Sequence, residues 1–489
     1  MTEGAVEPWQ TLISVPLSHA LVEDACQSEK PAMPPKPLSE EVWQSCPWWV
    51  RLAVRLLIER GDNSRLAPYV GILPPPASMG TLLHWSPEQM DRLHYPYLLD
   101  QVSKQRQLFK RMRERLLTDA TRPNSGADDT PAGRVLVTAL HDPEAFFWAL
   151  ECVQSRAFQL PPKGVGPHFP SGDEYGDGAG MAPAVEPPSP EEARMALLPL
   201  IDSMNHYSRV PTHMHWQGDG SVAVSVGSHF DPGDHTFLSY GSISNDDLLQ
   251  YYGFVERDNP ADSYVLQHMA EWLIKEGWLN QSLQSRLIAC PKARETWRYL
   301  ERGVLLRDGV HPTTMQALRM VCCEPGAPRT VANRARNEAS KGSSDNPLDL
   351  AVCATEGNVS EMPPPWDGSS EDLSRFTTPV SLVSEMSAWE LVMHLAAEEA
   401  DAWGEAGVAR ALVKDVSAPG LDGDLDGVGL DDERRLMLSV FRQEKLLLLR
   451  RVLSRLGHLR KVSGMLNRPV KVPVVKVPPV LGSSRVLPD

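Results

Sequence analysis

No stretch of this chain is apolar for long enough to cross a bilayer. A helical span needs an uninterrupted run of about 18–20 apolar residues, and none occurs. The first ten residues, MTEGAVEPWQ, hold neither a basic segment nor an apolar one, so neither a signal peptide nor a transit peptide is read there. C-x-x-C spacing is absent too. The seven cysteines, Cys26, Cys46, Cys152, Cys290, Cys322, Cys323 and Cys353, are scattered, which argues against a zinc site and a disulfide framework. An intracellular, reducing compartment follows as the expectation. Positive charge is in deficit: the formal net charge is −15, which argues against a protein that coats duplex nucleic acid over its whole surface.

What is present is length and apolar content. A chain of 489 residues, 42% hydrophobic, is enough for two or three cored domains. Val50, Val54, Leu57 and Ile58 fall at helical spacing within residues 41–60. HWSPEQM starts a second helix, with Ser86 as N-cap and Pro87 at the first helical position. Residues 99–117 read as a long basic amphipathic helix. Asp142-Pro143 repeats the start signal for a helix to about residue 158. Val222, Val224 and Val226 alternate as in a half-buried strand, between turns at QGDG (217–220) and DPGD (231–234), and HTFLSYG (235–241) follows as the next strand. Ser244 and Asp247 stand at capping-box spacing and open a short helix, 245–252, that stops at Gly253. From about 263 to 457 the pattern is mostly helical, ending in a helix 432–456 with the stripe Met437, Phe441, Leu448 and Val452. Residues 118–133, 160–192 and 324–376 are rich in Pro, Gly, Ser and charge without periodicity; they read as solvated loops, the latter two disordered.

One stretch stands out. In LLPLIDSMNHYSRVP (197–211), an apolar run predicted as a buried strand ends in Met204-Asn205-His206. An Asn-His pair alone reads as a strand stopping at polar turn residues. Here it sits in an ordered set: SRLAPYVGILP with LHWSPEQM (64–90), QSRAF (154–158), LIDSMNH (200–206) and FLSYGSISNDDLLQYYGFVERDNPAD (237–262). That set resembles the SET-domain protein methyltransferases of the Rubisco large-subunit methyltransferase type. The resemblance covers most of residues 10–262 and, more loosely, the closing FRQEKLLLLRRVL.

The resemblance implies an α+β protein. A β-rich SET fold with a knot-like crossing (residues 1–262, with a helical insert at about 41–133) is followed by an all-α substrate-binding domain (263–460) and an extended tail (461–489). It implies S-adenosylmethionine as cofactor, held by Arg156, Asp202, Met204, Asn205 and His206, with Tyr252, Gly253 and Phe254 closing the wall. It implies a catalytic hydroxyl on Tyr240, no metal, and a protein substrate that presents a lysine; some relatives methylate histidine. The subfamily also makes a plastid compartment an alternative to the cytoplasm. The chemistry asks little of side chains. The acceptor nitrogen must arrive neutral, and burial lowers a lysine pKa; alignment and a hydroxyl at the channel floor supply much of the rest.

Two features depart from the family pattern. The family opens with a glycine-containing strand turn, whereas TLISVP fits its second strand, MTEG holds no G-x-G, and Gln10 stands where relatives carry Glu. One cofactor wall is therefore expected to be missing, leaving a weak or inactive relative that binds proteins as the alternative function. DGDLDGVGLDDE (422–433) matches a calcium loop through Asp422, Asp424, Asp426, Gly427 and Glu433. Pro419-Gly420 ahead of it, Gly429 at an aliphatic position and the lack of a partner loop make it an acidic linker rather than a calcium site. The basic face of 99–117 (Lys104, Arg106, Lys110, Arg111, Arg113, Arg115) reads as a solvated helix face, not a nucleic-acid surface.

Overall fold

In a computed structural model, which describes residues 4–24, 33–61, 64–126, 129–161, 194–325, 327, 365–380, 382–402 and 430–466, the strands gather into four small sheets. The first has the order β1 (Thr11–Pro16), β7 (Ser221–Val226), β6 (Thr212–Trp216); the second β2 (Leu21–Asp24), β4 (Arg194–Leu197), β3 (Ala157–Gln159). β5 (Asn205–His206) runs parallel to β8 (Phe237–Leu238). A fourth sheet, β11 (Gly309–Val310), β10 (Gly303–Leu306), β9 (Ser263–Leu266), lies within the C-terminal region, which is therefore not all-α. Its hairpin turns at Gly309, whose φ of 146° a β-carbon would obstruct.

Helix starts follow the local signals. Ser86 caps Pro87–Asp91 through a reciprocal box with Gln89, and Asp142 accepts from Glu144 N at the head of Pro143–Arg156. The 41–60 helix divides into Glu40–Ser45 and Trp48–Ile58, because Pro47 disfavours helical backbone at Cys46. The basic helix spans Pro96–Ala120 and buries Leu98, Val102, Leu108, Phe109 and Leu116. Its Lys104 pairs with Asp100 at 2.9 Å, and Arg106 and Arg113 donate to main-chain carbonyls.

Other expectations are corrected. β7 is buried on both faces rather than one, because it is the central strand and Ser221, Ala223 and Ser225 are covered as fully as the valines. HTFLSYG contributes only the two residues of β8, the length its β5 partner allows. The run 197–201 is a strand only to Leu197: Pro199 cannot donate to a ladder, and Leu200 takes a φ of 73° and stays 58% exposed. Within 324–376, Trp366 and Phe376 are fully buried, so the end of that segment is packed by its aromatic anchors. The closing helix, Asp432–Leu466, continues past 460 because no proline follows until Pro469. The rest of 160–192 beyond Pro161, the calcium-like residues Asp422, Asp424, Asp426 and Gly427, and the tail after Leu466 lie outside the described residues.

Three cores hold these elements. One joins β1, β6 and β7 to Ile201 and Leu238. A second packs Trp48–Ile58 and Pro143–Arg156 against Leu21, Met195 and Leu197. The third runs from Leu82–Val102 of the insert through Tyr264 to Trp389 and Phe441, so the insert and the C-terminal region share apolar interior.

Candidate active site

The site starts at the turn after β4. Leu200, at φ 73° and ψ −42°, reverses the chain; Asp202 N bonds back to the Leu198 carbonyl, and Ser203 N and Met204 N close a 3-10 turn onto the Leu200 and Ile201 carbonyls. A non-glycine residue in so sparsely populated a backbone conformation is strained by about 1–3 kcal/mol, a cost that clusters at functional sites. The turn delivers Met204 and β5 beside β8. Successive residues of a strand face opposite ways: His206 is buried and Asn205 exposed. The Asn205 amide Nδ2 lies 3.0 Å from His235 Nε2.

Tyr240 follows β8 directly. Its hydroxyl donates to the Met204 carbonyl at 2.6 Å, and its N–H donates to His206 Nδ1 at 3.0 Å. The second bond leaves the imidazole proton on Nε2, 3.3 Å from Glu256 Oε2. Glu256 Oε1 also accepts from Ser208 N and Oγ, at 3.1 and 2.7 Å. Burial pushes the Glu256 carboxyl up, and these hydrogen bonds outweigh it, holding the group below the usual range. The Tyr240 ring stacks on Tyr252 at 5.1 Å and lies tilted against His206 at 4.9 Å; Phe254 stands 6.1 Å from both His206 and Tyr252. Burial, with the neighbouring Tyr252, raises the Tyr240 phenol well above its ordinary value, so the hydroxyl keeps its proton.

Arg156 ends its helix with Nη1 on the Asp202 carbonyl at 2.7 Å, while its buried Nε has no hydrogen-bond partner among the described residues. The Asp202 carboxylate accepts from Tyr69 at 2.6 Å. Burial raises the Asp202 carboxyl, and Tyr69 and Arg156 oppose it. Past Ser244, the segment Asn245–Asp247 continues as a π-helical turn, Leu248–Tyr252, rather than the expected α-helix. It ends at Gly253, whose φ is 75° and whose added β-carbon would lie 2.7 Å from the Gly80 carbonyl carbon. Two ties hold this segment. Buried Gln250 donates to Gln105, and Gln105 to Gln154, linking it to two helices. Fully buried Lys445, from the closing helix, sits 2.7 Å from Asp246 Oδ1 and 2.8 Å from Asp262 Oδ1.

The residues singled out in the sequence thus gather through two chains of contacts: Arg156 with Asp202, and Met204, His206, Tyr240, Tyr252, Gly253 and Phe254. Asn205 stands on the exposed face of β5, opposite His206, with its amide against His235. Tyr69, Gly80, Glu256 and Lys445 were not singled out; all four lie in or beside the quoted stretches, and only their long-range partners mark them. Among the described residues no helix is long and apolar enough to cross a membrane, and no cluster of His, Cys, Asp or Glu is placed to hold a metal.

No protein-family model matches the chain. It is 26% identical over 220 residues to an actin-histidine N-methyltransferase of Drosophila melanogaster, covering 44% of this chain and 37% of that protein. It is 37% identical over 78 residues to a ribosomal lysine N-methyltransferase of Schizosaccharomyces pombe, covering 16% of this chain and 14% of that one. The match thus spans well under half the length of either curated relative. Among solved structures it is similar to the SET domain of LSMT bound to lysine and AdoHcy, with a TM-score of 0.56 and 15% identity over 94% of this chain and 84% of that one. Rubisco LSMT bound to AdoMet gives a TM-score of 0.56 and 16% identity over 94% and 84%. The chain has the mixed helix-strand SET fold of those structures.

Proposed function

We propose that this protein is an S-adenosylmethionine-dependent protein methyltransferase that modifies a side-chain nitrogen, with lysine as acceptor. The observation that carries the reading is the Tyr240 hydroxyl: it is fixed on the Met204 carbonyl inside a frame of His206, Tyr252 and Phe254. The donor set fits the cofactor. The buried Arg156 Nε lacks a partner, Asn205 offers an exposed amide, and Gly253 keeps a backbone approach that a side chain would close. Arg156, Asp202, Met204, Asn205, His206, Tyr252, Gly253 and Phe254 would hold it. When bound, the cofactor supplies a sulfonium methyl group for in-line displacement.

The protein's own part is positioning. With its proton given to Met204, the Tyr240 oxygen turns lone pairs toward an incoming amine and accepts an N–H from it, which aims the amine's lone pair along the reaction line. The raised phenol pKa makes Tyr240 an orienting group and not a base. Loss of water on entering the site disfavours the ammonium and so favours the neutral amine. In this reading residues 1–262 form the catalytic unit, the β5–β8 pairing is the seat of a knot-like crossing, and residues 263–460 bind the protein substrate.

A histidine acceptor is the second reading, favoured by the named activity of the Drosophila relative. Titration calorimetry with S-adenosylmethionine, followed by label transfer to peptides carrying a single lysine or a single histidine, tests both. Labelled lysine peptide is expected. Label only on histidine selects the second reading, and cofactor binding too weak to detect leaves the chain a protein-binding module.

A further inference from the structure

We propose that Arg209, Arg307 and Arg451, gathered around Asp258, form a docking patch for an acidic segment of the protein substrate; the inference rests on the methyltransferase reading and deepens it. The three arginines come from three places: the loop after β5, the end of β10 and the closing helix. Arg209 Nη2 lies 2.7 Å from Asp258 Oδ2 and 3.1 Å from its carbonyl. Arg307 donates Nη1 to the same carbonyl at 2.7 Å and Nη2 to Oδ1. Arg451 Nη2 is 3.3 Å from Oδ1. Asp258 holds a φ of 54°, and both its carbonyl and its carboxylate accept from Arg209 and Arg307.

One carboxylate cannot neutralise this set. A guanidinium carries five N–H donors, and a carboxylate is matched by one such fork. Arg257, whose Nη1 is on Gln443, adds a fourth cation, and Glu444, which accepts from the Asp258 N–H, adds a second carboxylate. Arg455 and Asp308, 3.8 Å apart, cancel. With Glu256 behind Ser208, four cations thus stand among three carboxylates, a local positive balance in a chain of net charge −15. The side chains of Arg209 and Arg451 are 47% and 42% exposed, and that of Arg307 is 21% exposed.

The patch also lies where a substrate would pass. Ser208, next to Arg209, donates twice to Glu256, the carboxylate beside His206, so the loops carrying Arg209 and Asp258 are pinned together at the edge of the candidate site. Exposed Tyr207 stands beside it. Arginines with an exposed aromatic are the composition of interface anchors, and planar guanidinium forks suit carboxylates in extended peptide. The overall negative charge disfavours nucleic acid as the occupant.

The probes are two synthetic peptides with a central lysine, one flanked by glutamates and one by glutamines. Their binding is followed by fluorescence anisotropy at low and high salt, and label transfer is measured in parallel. The glutamate peptide should bind about tenfold more tightly at low salt, with the preference fading as salt screens it. Arg307→Gln/Arg451→Gln should abolish the preference while S-adenosylmethionine binding, the control for folding, is unchanged. Asp258→Asn, which tolerates the left-handed backbone, should tighten glutamate-peptide binding; a purely structural ion network predicts no tightening. Equal affinity for both peptides, an unchanged preference in the double variant, or tighter binding of a single-stranded oligonucleotide would overturn the proposal. Tight glutamate-peptide binding without label transfer keeps the patch and removes the methyltransferase reading. Equal label transfer to both peptides with equal affinity does the reverse.

Discussion

Lys445→Met removes the cation at the junction of the closing helix and the π-helical segment. The Lys445 ammonium sits 2.7 Å from Asp246 Oδ1, 2.8 Å from Asp262 Oδ1 and 2.6 Å from the Ser263 carbonyl, so all three of its N–H bonds are used. Its side chain is fully buried, and Asp246 and Asp262 are nearly so. Methionine fills the volume but leaves two buried carboxylates facing each other; removing one partner of such a set costs about 3–5 kcal/mol. The cost depends on pH. Burial pushes the Asp246 carboxyl up to about 7, with Lys445 pulling it down and Asp262 pushing it up, against about 3.9 when unfolded. The folded state therefore holds the proton more tightly. Its contribution to stability is complete below about pH 4 and is lost as pH rises through about 7. Without Lys445 the folded pKa climbs further, so the variant's penalty grows with pH. Urea denaturation near pH 5 and near pH 8 should show the larger loss at the higher pH. Lys445→Met/Asp246→Asn/Asp262→Asn, which buries no charge there, should recover most of it. A penalty under about 1 kcal/mol near pH 8, or one that shrinks with rising pH, would refute the reasoning.

Three further outcomes follow from the site. Tyr240→Phe should lower kcat about tenfold or more with cofactor affinity little changed, read by steady-state kinetics and calorimetry, because in the proposed mechanism the hydroxyl orients the acceptor amine. Asn205→Ala should instead weaken S-adenosylmethionine binding itself, by about three- to tenfold for the loss of one polar contact, as measured by calorimetry. Gly253→Ala should destabilise the fold by about 1–2 kcal/mol or more in thermal or urea melts, since the left-handed backbone and the contact with Gly80 both oppose a β-carbon.

Helix beginnings were legible in the sequence because their signals are local: Ser86-Pro87 and Asp142-Pro143 state the cap and the first turn within a few residues. The gathering of Met204, His206, Tyr240 and Tyr252 came from an ordered set of stretches, not from periodicity. What stayed hidden depends on contacts distant in sequence. Alternating valines cannot show that β7 is the middle strand, so the burial of Ser225 was unforeseen. The 245–252 pattern scans as an α-turn, and nothing local marks its widening to π. Lys445 is one of four cations in FRQEKLLLLRRVL, and only the fold brings Asp246 and Asp262 to it. Glu256 likewise reads as one more charge until Ser208 and His206 arrive beside it.

Gln105 illustrates how chemistry can pin one position. It accepts from Gln250 Nε2 at 3.0 Å and donates through its own Nε2 to Gln154 Oε1 at 2.8 Å. The chain of amides therefore has a polarity, running from the π-helical segment through the long insert helix to the helix that ends at Arg156. A residue at 105 must both take and give a hydrogen bond along that line. Ionised glutamate cannot give one, lysine and arginine cannot take one, and methionine is a poor match for either. Reversing a single amide would set donor against donor or acceptor against acceptor, so the three orientations change together or not at all. Because no member titrates, this tie holds the same segment with a strength that neither acid nor salt alters, alongside the Lys445 cluster that responds to acid.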